Sequence, residues 1–366
     1  MRSLKLLPIL ILLLDSCIEK LEVPSIYTTS GLVVDGLLTD AAGPHTIKLL
    51  ITSPVEKDLD VIQYEGGATV SIVDDSGNVE TLKETEKGIY VTSNDFKGEV
   101  GKRYQLSIIT DEDRRYQSDL IEMLPAGEIL NISYEYVPNV LNPFDINQPQ
   151  NAVDVYLDGV GIAGYPNRMR WRWKGIYQTK TYPEKRVKIT PGGRVPDPIP
   201  CSGFIYTPVA GLIQVKDCVC CDCWPTEYSP AANVSKEFTP GTTSFTRIFL
   251  ARLPVDMWRF YTKYYFEAEQ LSVSDDVHRF WELIESQQAS SGDLFQPNVV
   301  QVKGNMRSLT DPAEEVFGIF SVSAVSRKNL FITRDELPGP FVRMDTVVAD
   351  CRAYFENSVN QKPPFW

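Results

Sequence analysis

Between Gly31 and about Leu124 the chain never sustains a helical hydrophobic period, and this limits what it can become. Short segments of period two recur instead. Leu32–Leu37 and Thr46–Ile51 come first, and in Ala68–Val73 the apolar Val70 and Ile72 alternate with Thr69 and Ser71. Val79–Lys83, Gly88–Val91, Lys102–Thr110 and Arg114–Ser118 complete the set. Asp74-Asp75-Ser76-Gly77-Asn78 and Asp111-Glu112-Asp113 are turn clusters, so their flanks predict hairpins. Alternation puts successive side chains on opposite faces, so each sheet must bury one face against another layer. About seven strands in this span predict an immunoglobulin-like β-sandwich over residues 30–125. Pro125-Ala126-Gly127 marks the expected boundary.

Residues 126–366 predict a larger β-rich domain. Ile129–Val137, Asn151–Leu157, Arg247–Leu253, Arg259–Leu271 and Phe317–Ala324 read as strands. Met169–Tyr177 alternates large apolar residues with bases, which places Trp171, Trp173 and Tyr177 on one face. These three are candidates to face a sugar or peptide ligand, and core packing is the favoured reading. Pro138–Gln150 and Tyr182–Pro200 predict long loops. One helix is clear: Ser274 caps it, and Val277, Phe280, Trp281 and Ile284 share a face, with an end near Gly292. With 25 prolines and 23 glycines, the chain is expected to be mainly β, with one helix and disulfide-stapled loops.

Six cysteines lie in this second region: Cys201, Cys218, Cys220, Cys221, Cys223 and Cys351. An even number in an exported chain predicts disulfides. Cys220 and Cys221 point to opposite faces of an extended segment and should reach different partners. Cys201 and Cys351 are the natural remote partners, which leaves one bridge inside the cluster, with Cys218–Cys223 as a candidate pair. A zinc site would draw four ligands from six residues without two separate knuckles, and a redox motif would need a following helix where Pro225 stands. Structural disulfides rank above both, so no metal and no cofactor are expected.

Met1–Ser16 has Arg2 and Lys5 ahead of the apolar run Leu6–Leu14, the pattern of a signal peptide. Leu14-Asp15-Ser16-Cys17 matches a lipobox, with Asp15 atypical, so Cys17 is the expected lipid anchor after cleavage. Residues 17–29 then form a charged tether. The localisation expected is the outer membrane, lipid-anchored and exposed at the cell surface. The net charge of −12 becomes −13 once Arg2, Lys5 and Asp15 are removed. Such an acidic chain is not built for nucleic acid or for holding anionic headgroups by its overall charge.

Further stretches carry a family resemblance. They are Gly67–Asp74, Gly88-Ile89-Tyr90, Gly98–Leu106, Trp171-Arg172-Trp173, Phe280-Trp281, Gly304-Asn305, Phe317-Gly318 and the terminal Lys362–Trp366. Together with the lipoprotein start they resemble the Bacteroidota lipoproteins catalogued as domain of unknown function 4249. The resemblance implies no catalytic residues. It does imply a role alongside a TonB-dependent outer-membrane receptor, beside which such proteins are commonly encoded. The ligand is unknown.

The search for chemistry agrees with that. His45 and His278 are the two histidines, far apart in the chain and in different predicted domains. No nucleophile elbow, His-Glu-x-x-His pair or phosphate-binding glycine loop occurs. Catalytic residues are therefore expected to be absent, and the chain is expected to be an accessory binding protein. The alternatives are a carboxylate-dependent surface hydrolase of glycan or peptide, and an adhesin.

Overall fold

A computed structural model describes residues 31–52, 63–141, 149–236, 243–290 and 302–366. The signal peptide, Cys17 and the tether lie outside the described residues, as do Gly292 and residues 142–148 of the predicted Pro138–Gln150 loop. The protein is mainly β with one long helix, Asp275–Ser290.

Two sheets bury their inner faces in one cluster. The first runs Phe317–Ser323, Leu32–Thr39, Thr46–Ile51, Ile89–Val91 and Lys83–Glu86, with Gln63–Tyr64 also on Thr46–Ile51. The second runs Met306–Ser308, Arg115–Ser118, Arg103–Ile109, Thr69–Asp74 and Val79–Thr81, with Ile121–Glu122 on Arg103–Ile109. Val34, Ile47 and Leu49 from one meet Val70, Ile72 and Leu106 from the other, all buried. The alternation that predicted these strands supplies this core.

The predicted boundary at residue 126 needs correcting. Phe317–Ser323 pairs in parallel with Leu32–Thr39, and Met306–Ser308 pairs with Arg115–Ser118. The first body therefore takes two strands from far down the chain. Backbone fit explains why Gly304 and Gly318 stand there. A Cβ on Gly318, at φ +80°, would lie 1.9 Å from the Val34 carbonyl oxygen, and one on Gly304 would lie 1.5 Å from the Gly318 oxygen. Asn305 then acts as a short stretch of partner strand. Its amide donates to the Phe320 oxygen at 2.7 Å, and its oxygen accepts from the Phe320 N–H at 3.0 Å.

The second body has the same two-layer logic. One layer is Glu128–Val140, Gln150–Val160 and Ser244–Pro254. The other is Thr179–Lys180, Asp222–Tyr228, Met169–Tyr177, Lys263–Ser272 and Val325–Thr333, with Ser358–Val359 on Asp222–Tyr228. Val153, Val155 and Leu157 meet Trp171, Phe266 and Ala268 between them. Gln270 ties the bodies together from a fully buried position. It accepts from the Trp171 indole at 3.1 Å and donates to the carbonyls of Ala126 at 2.7 Å and Val160 at 3.0 Å. Ala126 belongs to the first body's core and Val160 to a strand of the second. A buried amide satisfied this fully fixes one arrangement.

The helix packs Val277 and Phe280 on Ile319 of the shared strand, and the Ser274 hydroxyl accepts from the Val277 N–H at 3.4 Å. His278 is buried, with Nε2 2.7 Å from the Ser235 carbonyl, and so anchors the helix. Arg170 stacks on Trp281 with Cζ 3.4 Å from the ring centre. Its Nε is buried without a hydrogen-bond partner among the described residues, and burial pulls the guanidinium down to about 9.

Candidate functional site: a cleft beside a stapled module

Met169–Tyr177 alternates between buried and half-buried residues along its whole length. Its buried face does not form a free platform. Trp171 is 1 % exposed and lies edge-on to Phe245 at 5.3 Å, so it cannot face a ligand. This overturns its candidacy: the second layer covers the face that alternation assigned to it. Trp173 stacks on Phe266 at 5.2 Å and donates its indole N–H to the Leu250 oxygen at 3.0 Å. Tyr177 stacks on Tyr264 at 5.9 Å. Although mostly buried, Trp173 and Tyr177 reach the wall of a cleft of about 530 Å³.

The cleft lies where the two layers of the second body part. Its further walls are Pro225, Pro230, Pro254 and Arg252, with Phe355 and Asn357 arriving from the C-terminal segment. Polar groups at its floor are held by one another. Arg259 meets Glu227 at 2.7 and 3.2 Å and Asp256 at 2.6 Å, and the Tyr264 hydroxyl donates to Glu227 at 3.0 Å. Burial works against the Arg259 charge, but the carboxylates of Glu227 and Asp256 outweigh it and hold the guanidinium protonated. Burial, then the Glu227 carboxylate, push the hydroxyls of Tyr177 and Tyr264 above the ordinary tyrosine range. Arg252 is held at 2.7 Å by both oxygens of the buried Asp154. A bidentate pair of this kind fixes the guanidinium in place.

Gly175 makes this floor possible. A Cβ there would lie 1.7 Å from the Tyr264 hydroxyl, which occupies the space on its way to Glu227. Glu227 carries no local signal in the sequence, because its strand Asp222–Tyr228 is hidden behind the cysteine run and Pro225.

All six expected cysteines are in disulfides: Cys201–Cys220, Cys218–Cys221 and Cys223–Cys351. Cys220 and Cys221 do reach different partners, and Cys201 and Cys351 are the remote ones. The internal bridge is Cys218–Cys221 and not Cys218–Cys223. Cys223 lies within the strand Asp222–Tyr228 and is buried with Cys351, to which it is bonded, so Cys218 pairs with Cys221 three residues on. No thiolate among the six is left for a metal ion.

The bridge Cys223–Cys351 brings the C-terminal segment to the cleft. Trp224 pairs with Val359, and the terminal Phe365 and Trp366 pack on Tyr265 and Phe331 at 4.4 and 5.9 Å. Lys263 lies over both the Phe331 and Trp366 rings. Between Tyr182 and Cys221 stand two hairpins, Val187–Thr190 with Gly193–Pro196, where a loop is predicted, and Phe204–Thr207 with Gly211–Gln214, where no element is predicted. Asp74, in the predicted turn cluster, spends its oxygens on the N–H groups of Ser76 and Asn78 and on the Asn78 amide, as a plain turn does.

The fold and site define a two-body β protein with a disulfide-stapled, ring- and proline-walled cleft. The family model described as Domain of unknown function (DUF4249) matches residues 18–329, and the chain belongs to that family. A comparison with curated proteins gives no match.

Proposed function

We propose that the protein is a lipid-anchored accessory binding component of a TonB-dependent outer-membrane receptor, tethered through Cys17 and without catalytic activity of its own. One observation carries the reading: the cleft is walled by rings and prolines, and of the two carboxylates that line it, Glu227 and Glu356, Glu227 is already committed. Both Glu227 oxygens are taken by Arg259 and Tyr264, and Asp154 by Arg252. A hydrolase of the carboxylate type needs one carboxyl free to give a proton and a second free to attack or to activate water. Carboxylates locked by arginine suit a rigid surface that recognises shape. Among the described residues no helix is long and apolar enough to cross a membrane.

The test is mild-detergent extraction of the outer membrane followed by capture of the tagged full-length protein. A co-purifying barrel receptor is the expected result, and recovery of the lone protein overturns the partnership. Cys17→Ala should release the protein from membranes washed at high salt, which also strips a contact that depends on charge, and continued sedimentation of that variant after the wash would overturn the anchor.

A further inference from the structure

The second hairpin of the stapled module exposes apolar side chains on both faces. Ile205 and Ile213 lie across from each other on one face, and Tyr206 and Leu212 on the other. All four are exposed, and Val209 at the tip is 99 % exposed. From Pro198 to Val215 the chain carries no charged residue at all. A two-stranded ribbon with two apolar faces is marginal in water and marks a surface that something covers.

Local charge says what covers it. The chain as a whole carries −12, yet residues 180–217 hold six lysines and arginines against three acids. One of those acids, Asp197, is paired with Arg186 at 2.7 Å. Arg194 and Lys216 make no ion pair among the described residues, and Ile189, across from Arg194 on the first hairpin, is 85 % exposed. An uncharged apolar tip in a segment with an excess of cations is the pattern of an element that lies in a headgroup layer. A protein groove covers one face of a ribbon, whereas a bilayer interface surrounds both. The staples Cys201–Cys220 and Cys218–Cys221 close the base of this hairpin, so little ordering is lost on docking.

We propose that the hairpin Phe204–Gln214, with Lys216 at its base and Arg194 on the preceding hairpin, docks on a lipid surface bearing anionic headgroup phosphates. Its tip reaches the headgroup–acyl boundary and no deeper, because the outer backbone groups of a two-stranded ribbon need polar partners. This contact is separate from the Cys17 anchor and stands without it.

The experiment uses the chain from Ile18 onward, which lacks Cys17 and keeps every described residue. It is sedimented with vesicles of phosphatidylethanolamine and phosphatidylglycerol, and with vesicles of phosphatidylcholine alone. Binding to the first kind, weakened by salt, is expected. The exposed-site double variant Val209→Asp with Ile213→Asp should lower binding at least about tenfold. Arg194→Glu with Lys216→Glu should remove the preference for phosphatidylglycerol. Mass measurement of three intact disulfides and an unchanged unfolding midpoint check that the variants fold. No sedimentation with either vesicle, or equal sedimentation of the Val209→Asp, Ile213→Asp variant, overturns the proposal. So does capture of a barrel protein in detergent that this variant abolishes while vesicles are not bound, since that would assign the hairpin to a protein partner.

Discussion

The first body and the stapled module solve the same problem in opposite ways. The first body gathers twenty-one buried residues into one cluster, and no cysteine is among them. At the base of the module the cluster is four residues, Cys223, Val347, Cys351 and Phe355, two of which are bonded to each other. Two sheets with period-two strands bury enough apolar surface to hold together without covalent help. A segment that turns its apolar side chains outward has no such source and is closed by disulfides, which restrict the unfolded chain. Covalent closure thus marks where burial was given up, and the apolar residues left outside are free for recognition.

This comparison can be broken most forcefully in the first body. Gly318→Ala should drive a methyl group into the Val34 carbonyl at a left-handed backbone position and cost on the order of 4 kcal/mol, measured by urea unfolding. A loss under about 1 kcal/mol would mean that the parallel strand is not needed to close that body. In the module, Cys351→Ala should cost about 2–5 kcal/mol, with hydrogen exchange rising at residues 347–366 and not at residues 31–52. Exchange rising equally in both regions would erase the distinction between them.

A pH test separates the two regions again. His45 lies buried in the first body, and burial, ahead of the opposing backbone hydrogen bonds, holds its imidazole below the ordinary 6.5. The fold therefore keeps the neutral ring while the unfolded chain takes up the proton. The stability this provides is full above pH 6.5 and is lost as pH falls through the folded value. His45→Gln should flatten the fall in melting temperature on acidification, and an unchanged slope would place the titration elsewhere. The smallest effect belongs to the first hairpin. Arg186 and Asp197 already close its base, with the Asp197 N–H donating to the Arg186 oxygen at 2.8 Å. Replacing Val187–Pro196 with a short Gly-Ser bridge should change stability by no more than about 0.5 kcal/mol. A larger loss in thermal unfolding would make the hairpin part of the core and not a surface device.

Thr46–Ile51 and Met169–Tyr177 were legible to the residue, because a strand with one face buried and the other not carries its own periodicity. The helix was legible for the same reason at its own period, and the capping hydroxyl of Ser274 fixed where it begins. Met306–Ser308 and Asp222–Tyr228 were not, since three residues, or seven interrupted by Pro225, are too few to show a period. In the cleft, Trp173 and Tyr177 were legible as large residues on one face. Glu227, Arg252 and Arg259 were not, because a charged residue in a strand reads as solvent-facing until its partner is placed.

The sequence by itself determined the mainly-β class, the long helix, the oxidised state of the six cysteines and the division of the cysteine run among different partners. These are short-range properties, set by residue type and by spacing over a few positions. Only the tertiary structure decided that Phe317–Ser323 joins Leu32–Thr39, that Cys218 meets Cys221, and that Gly175 makes room for the Tyr264 hydroxyl. It also decided which apolar residues of the second region end up inside and which on the open hairpins. Each of these is a contact between segments that packing brings together, and local spacing holds no record of which distant backbone will arrive.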